Sequence, residues 1–177
     1  MDLLTKAIFF ATKAHEGQMR KMTNTPYILH PIEVASIIAT ITDDQDIMAA
    51  GVLHDVIEDC GKTLDDLPVN DETKEIVRLM THAKTNDEDR DKVMQAYYDE
   101  LVKNPKAALV KCMDRCNNLT TMSWGLSRDR VYRMILETEK YYPALLKSIK
   151  STIEYDNAAW LLQYQIESML DIYKRLM

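Results

Sequence analysis

Only four glycines and five prolines occur among the 177 residues, too few for the many tight turns of a chain built from short strands. The cysteines number three, Cys60, Cys112 and Cys116. An odd count without framework spacing excludes a disulfide-stapled scaffold and suits a reducing compartment. No stretch approaches the roughly 18 apolar residues of a membrane helix, and residues 1–11 carry no cationic leader. Neither a membrane span nor a signal peptide is expected, and the expected location is cytoplasmic. Positive charge is not in excess either: 22 Lys and Arg stand against 28 Asp and Glu, a formal charge of −6. No overall basic field exists to gather nucleic acid. A phosphorylated small molecule would have to be met locally, and Arg20, Lys21, Lys111 and Arg115 are the basic side chains near the residues of interest below.

What is present is long helical periodicity. With 46% hydrophobic and 28% charged residues, the chain reads as one domain, 1–177, of all-α class. Leu3, Leu4, Ala7, Ile8, Ala11 and Ala14 recur at helical spacing between Asp2, a candidate N-cap, and Gly17. Residues 18–31 lack that period and read as a loop reaching His30, with Pro31 opening a helix over 32–40. Asp43 or Asp44 caps a helix that stops near Gly61. Residues 64–68 read as a short turn with a hydrophobic anchor, 72–81 as a helix, 86–91 as a solvated acidic run or helix start, and 92–103 and 105–121 as helices. The segments 128–142 and 143–177 complete the chain as amphipathic helices divided at Pro143.

The pair His54-Asp55, followed by Glu58-Asp59, falls inside an apolar run that begins at Met48. Burying four ionisable residues among alanines and leucines is costly unless a cation or hydrogen bonds compensate them. Adjacent residues on a helix point about 100° apart, so His54 and Asp55 can grip one metal ion only with ligands from elsewhere, for which His30 and Asp114 are candidates. In an unbroken helix Glu58 follows His54 by one turn and Asp59 follows Asp55, which stacks both acids beside the metal. Asp114 interrupts an apolar helix with a charge, and Asn118 shares its face. Cys112 and Cys116 lack further soft ligands and read as core. His15 reads as a brace or a helix-end residue and His82 as structural, and no serine has a histidine partner pattern for nucleophilic catalysis.

Four ordered motifs carry a resemblance: His15-Glu16-Gly17-Gln18-Met19-Arg20-Lys21, Pro26-Tyr27-Ile28-Leu29-His30-Pro31, the run from Ala49 to Asp59, and the run from Val110 to Leu119. Together they resemble the HD-domain hydrolases of the RelA/SpoT type over residues 4–145, with no synthetase or regulatory domain. The resemblance implies an all-α HD bundle with one manganese ion (Mn2+) held by His30, His54, Asp55 and Asp114. It implies a small stand-alone hydrolase of the stringent-response alarmones, which removes the 3′-pyrophosphate of guanosine tetra- or pentaphosphate (ppGpp or pppGpp) to give GDP or GTP. On this footing Glu58 and Asp59 position or deprotonate the attacking water. Arg20 and Lys21 contact base and phosphate, Asn118 and Thr121 lie on the ribose side, and Lys111 and Arg115 are basic positions flanking the metal aspartate. The expected partner is thus a small-molecule nucleotide. Other phosphorylated nucleotides, such as an adenosine alarmone, a nucleoside phosphate or NADPH, and a sensor without turnover, are alternatives. The chain departs from the family at Cys60, at Cys116-Asn117, where Leu-His is common, at Thr120-Thr121, and in the glycine-free loop 22–25.

Overall fold

Asp2 begins the first helix as its spacing predicts: the Thr5 amide donates to Asp2 Oδ1 at 2.8 Å, and α1 runs over Leu3–Ala14. In this computed structural model, which describes residues 1–21, 23–82 and 89–176, eight more helices follow among the described residues. They are α2 (Leu29–Ile38), α3 (Gln45–Leu53), α4 (Val56–Cys60), α5 (Asp71–Met80), α6 (Arg90–Leu101), α7 (Pro105–Thr121), α8 (Arg128–Lys150) and α9 (Asp156–Leu176). The β pairing among them is one isolated bridge between Met19 and Pro26. None of these helices is long and apolar enough to cross a membrane.

Two helices position the site. Along α3 every residue from Ile47 to Leu53 is buried, and α3 packs against α1, α2, α5 and α7. Gly51 permits the approach of α2, because a Cβ there would lie 2.9 Å from Ile38 Cδ1. Helix α7 is almost wholly buried between α2, α3, α5, α8 and α9. It begins where sequence logic puts it, with Asn104 Oδ1 accepting from the amides of Lys106 and Ala107 and Pro105 as first residue, a cap worth about 1 kcal/mol. Lys106 then ties this start to the N-cap of α3, its Nζ lying 2.7 Å from Asp44 Oδ2.

Several boundaries differ from those the sequence suggests. His30 is in the first turn of α2 rather than on the preceding loop; Pro31 is tolerated because amides there have no intrahelical acceptor. The helix bearing His54 and Asp55 is broken at those residues, between α3 and α4, and ends on Gly61 in the left-handed conformation, φ +63°. Pro143 does not divide the C-terminal region: α8 continues through it, with Tyr142, Leu145, Leu146 and Ile149 buried against the core. The division falls at residues 151–155. Of the acidic run, 86–88 lie outside the described residues, while Asp89, Arg90 and Asp91 start α6. Met22, within the loop expected over 18–31, also lies outside them.

Candidate metal centre and its cleft

Three separate parts of the chain converge between α2, α3 and α7. His30 comes from α2, His54 and Asp55 from the break between α3 and α4, and Asp114 from the middle of α7. His54 Nε2 lies 3.1 Å from Asp55 Oδ2 and 3.6 Å from Asp114 Oδ1, while His30 Nε2 lies 3.2 Å from Asp114 Oδ1 and 3.6 Å from Asp55 Oδ2. Ligand atoms about 2.1 Å from one ion and at right angles to each other stand about 3 Å apart. The four distances have that scale.

The outer ring nitrogens fix the direction of the inner ones. His54 Nδ1 is 2.8 Å from the Gly51 carbonyl, which can only accept, so Nδ1 carries the proton. Its buried Nε2 has no hydrogen-bond partner, an arrangement that suits a metal ligand held from behind. His30 Nδ1 is likewise occupied, by Asn117 Oδ1 at 2.8 Å. The donor set therefore fits a divalent cation: His30, His54 and Asp55 bring their ligand atoms within 4.8 Å of one another, and Asp114 Oδ1 lies 3.2 and 3.6 Å from the two imidazoles. Electrostatics agree. Burial opposes ionisation of Asp55, but His54 outweighs it and brings the carboxyl down to about 2. Burial opposes charge on His54 as well, yet the carboxylates of Asp55 and Asp114 raise its pKa.

The acid pair separates. Across the break at His54 and Asp55 the Asp59 amide still donates to the Asp55 carbonyl at 2.9 Å, so Asp59 follows Asp55 by one turn as the spacing suggests, while the two acids take different partners. Glu58 Oε1 accepts from the backbone amide of His82 at 2.7 Å and so anchors the chain just after α5. Asp59 instead faces a cleft of about 440 Å³, shared with Arg20, Lys21, Tyr27, His30 and Asn118. Burial first, and Asp55 second, push its pKa up, the direction that makes a carboxylate a stronger proton acceptor.

Arg20 is buried, with Nη1 donating to Asn117 at 3.0 Å and Nη2 donating to Asn118 at 3.0 Å and Thr121 at 3.1 Å. These acceptors are all neutral, so its positive charge remains available to the cleft. Asn118 in turn donates to Asp114 Oδ1 at 2.6 Å. Lys21 is exposed at the rim, and Lys111 Nζ reaches Asp114 Oδ2 at 3.6 Å. Arg115 is not brought to the cleft: it binds Glu137 and the Tyr142 hydroxyl on α8. His15 bridges Gln18 and Cys60, with Nδ1 2.8 Å from Gln18 Oε1 and 3.3 Å from Cys60 Sγ. Cys112 and Cys116 are buried and unpaired.

Two residues that sequence reading did not assign belong here. Tyr27 donates its hydroxyl to Asp55 Oδ2 at 2.7 Å, and Asn117 contacts His30, Arg20 and Glu33. Asn117 sits three after Asp114 on α7, so helical spacing was its available signal, whereas Tyr27 lies in the turn before α2 and had only its nearness in sequence to His30.

A buried His/Asp centre on an all-helical bundle, opening on a small cleft, defines the HD-domain architecture. The chain belongs to that family: the HD domain matches residues 7–145. It is 31% identical over 166 residues to the guanosine-3′,5′-bis(diphosphate) 3′-pyrophosphohydrolase of Vibrio cholerae, covering 87% of this chain and 23% of that protein. It is also 31% identical to a GTP pyrophosphokinase of Streptomyces coelicolor, covering 86% and 18% respectively. The chain thus spans about a quarter or less of the length of these curated relatives. A solved structure described as a metazoan ortholog of SpoT that hydrolyzes ppGpp superposes with a TM-score of 0.76 at 20% identity, over 97% of this chain and 95% of that one. At that identity the likeness is one of fold.

Proposed function

We propose that this chain is a metal-dependent phosphohydrolase that removes the 3′-pyrophosphate of guanosine tetra- or pentaphosphate, leaving GDP or GTP and pyrophosphate, with manganese as its ion. The observation that carries the reading is the His30–His54–Asp55–Asp114 cluster, with His54 Nε2 unpartnered, opening beside Asp59 and Arg20. When bound, the ion supplies Lewis acidity toward a phosphoryl oxygen and acidifies a water.

The protein's own groups do the remainder. Tyr27 and Asn118 hold the carboxylates of Asp55 and Asp114. Asp59, with its raised pKa, accepts the proton of the attacking water, and Glu58 keeps α4 in place by gripping the chain after α5. Arg20 is fixed at its edge by three side chains of α7 before any substrate arrives, which leaves less side-chain entropy to lose on binding. Lys21 adds a mobile charge for phosphate at the rim, Thr121 and Asn118 line the sugar side, and Lys111 screens Asp114. Arg115 contributes by anchoring α8 against α7 rather than by meeting the nucleotide. The relatives named for the hydrolase reaction support guanosine tetraphosphate as the substrate to test first.

The test is release of pyrophosphate and GDP from guanosine tetraphosphate by chelator-stripped protein, with and without manganese, beside a panel of adenosine alarmone, nucleoside phosphates and NADPH. Manganese-dependent turnover with preference for a 3′-pyrophosphate is expected. A preference for a nucleotide lacking that group rejects the substrate, and no turnover of any, with nucleotide bound, favours a sensor. The variant Asp59→Asn is expected to bind nucleotide normally and lose about 10²-fold in kcat.

A further inference from the structure

Asn117 joins two parts of the site. Its Oδ1 accepts from His30 Nδ1 at 2.8 Å and from Arg20 Nη1 at 3.0 Å, and its Nδ2 donates to Glu33 Oε2 at 2.9 Å. These partners decide which way the amide points: a guanidinium can only donate and an ionised carboxylate can only accept, so the oxygen faces Arg20 and the nitrogen faces Glu33. With an oxygen acceptor beside it, His30 Nδ1 must carry the proton, and the lone pair of Nε2 is left to face Asp55 and Asp114. Asn117 is 7% exposed, so water is poorly placed to substitute for the lost acceptor.

We infer that Asn117 is a positioning residue that locks the metal-ligating tautomer of His30 and, through the same oxygen, ties that ligand to Arg20 at the cleft wall. This inference rests on the metal reading given above. It assigns a role to a position where the chain departs from the Leu-His of its family. Arg20 and His30 share one acceptor, so a substrate that draws on the guanidinium also alters the hydrogen bond behind the metal ligand.

Two replacements separate positioning from packing. Asn117→Leu keeps the bulk and removes the acceptor; Asn117→Asp, made in a Glu33→Gln background so that no two carboxylates meet and compared with Glu33→Gln alone, keeps an acceptor for both His30 and Arg20. Manganese affinity of the chelator-stripped protein is measured by titration calorimetry. The ¹⁵N shifts of the His30 ring are measured in the metal-free protein at a pH where the imidazole is neutral. Asn117→Leu is expected to bind manganese about 10- to 100-fold more weakly than the parent, with His30 shifts moving from the Nδ1–H pattern toward a tautomer mixture, and Asn117→Asp to recover most of the affinity. Parent-like affinity and unchanged His30 shifts in Asn117→Leu overturn the assignment, as does an Asn117→Asp protein as weak as Asn117→Leu. If Asn117→Leu loses its helical circular dichroism, the smaller Asn117→Ser, which has no amide oxygen to reach His30, takes its place with the same expected and overturning results. A parent that binds no manganese overturns the metal reading itself and is recognised without any variant.

Discussion

Helix α7 carries two buried charges in succession, Asp114 and Arg115, and they sit in opposite circumstances. Around Arg115 the partners are complete: Nε donates to the Tyr142 hydroxyl at 2.9 Å, Nη2 pairs with Glu137, and Tyr98 donates to the same Glu137 oxygen at 3.0 Å. Burial disfavours the Glu137 carboxylate, but the Arg115 guanidinium outweighs it and holds the pKa below the ordinary range. Around Asp114, two carboxylates and two imidazoles converge, and the His54 Nε2 among them has no hydrogen bond. The first cluster satisfies its buried groups as it stands; the second leaves the His54 Nε2 without a hydrogen-bond partner. Burial of charge therefore does not mark a functional site, whereas incompleteness of a buried charged cluster does.

The contrast can be broken most decisively at Asp55. The Asp55→Ala protein is expected to lose turnover to background and to lose the rise in melting temperature that manganese gives the parent, while its metal-free melting temperature also falls, because Tyr27 and His54 lose the carboxylate that pairs with them. Differential scanning fluorimetry with and without manganese reads both, and an equal manganese gain in parent and variant would remove Asp55 from the ligand set. On the other side of α7, Glu137→Ala leaves Arg115 buried without its carboxylate and is expected to cost about 3 kcal/mol of stability, measured by urea denaturation. A stability equal to the parent's would mean that the Arg115 cluster is not self-supporting in the way its geometry implies. The smallest effect concerns pH. Because the folded pKa of Glu137 is lowered below its ordinary 4.5, its contribution is fully present above that value and is lost as pH falls through the folded pKa. The stability difference between parent and Glu137→Gln should therefore shrink as acid is added below about pH 4.5, and a difference that widens would refute the linkage.

Much of this architecture was legible in the sequence. Caps are local chemistry, so Asp2 and Asp44 announce the starts of α1 and α3, and Gly61 announces the end of α4. His54, Asp55 and Asp114, which the structure brings together with His30, could also be picked out, since a charge within an apolar run is conspicuous wherever its partner lies. What could not be read was decided by contacts distant along the chain. The apolar run through His54 and Asp55 shows no breaker, so the break between α3 and α4 has no local sign, and the partnership of Glu58 with the His82 amide depends on a segment far along the chain. Pro143 looks like a boundary, yet tertiary packing of Tyr142, Leu145 and Ile149 carries α8 through it. Arg115 looks like a cleft cation beside Asp114, but neighbours on a helix face different ways, and its face meets Glu137. Asn117 takes its meaning from His30, Arg20 and Glu33, none of them adjacent to it.

The assembly of the centre from α2, the break after α3, and α7 has a topological consequence. An ion held by His30, His54, Asp55 and Asp114 would close two long loops of the chain at a single point. It would act as a removable cross-link, opened by a chelator as a disulfide is opened by a reductant. In a protein whose three cysteines are unpaired, that would make metal supply a direct control on how readily α2 and α7 part from one another.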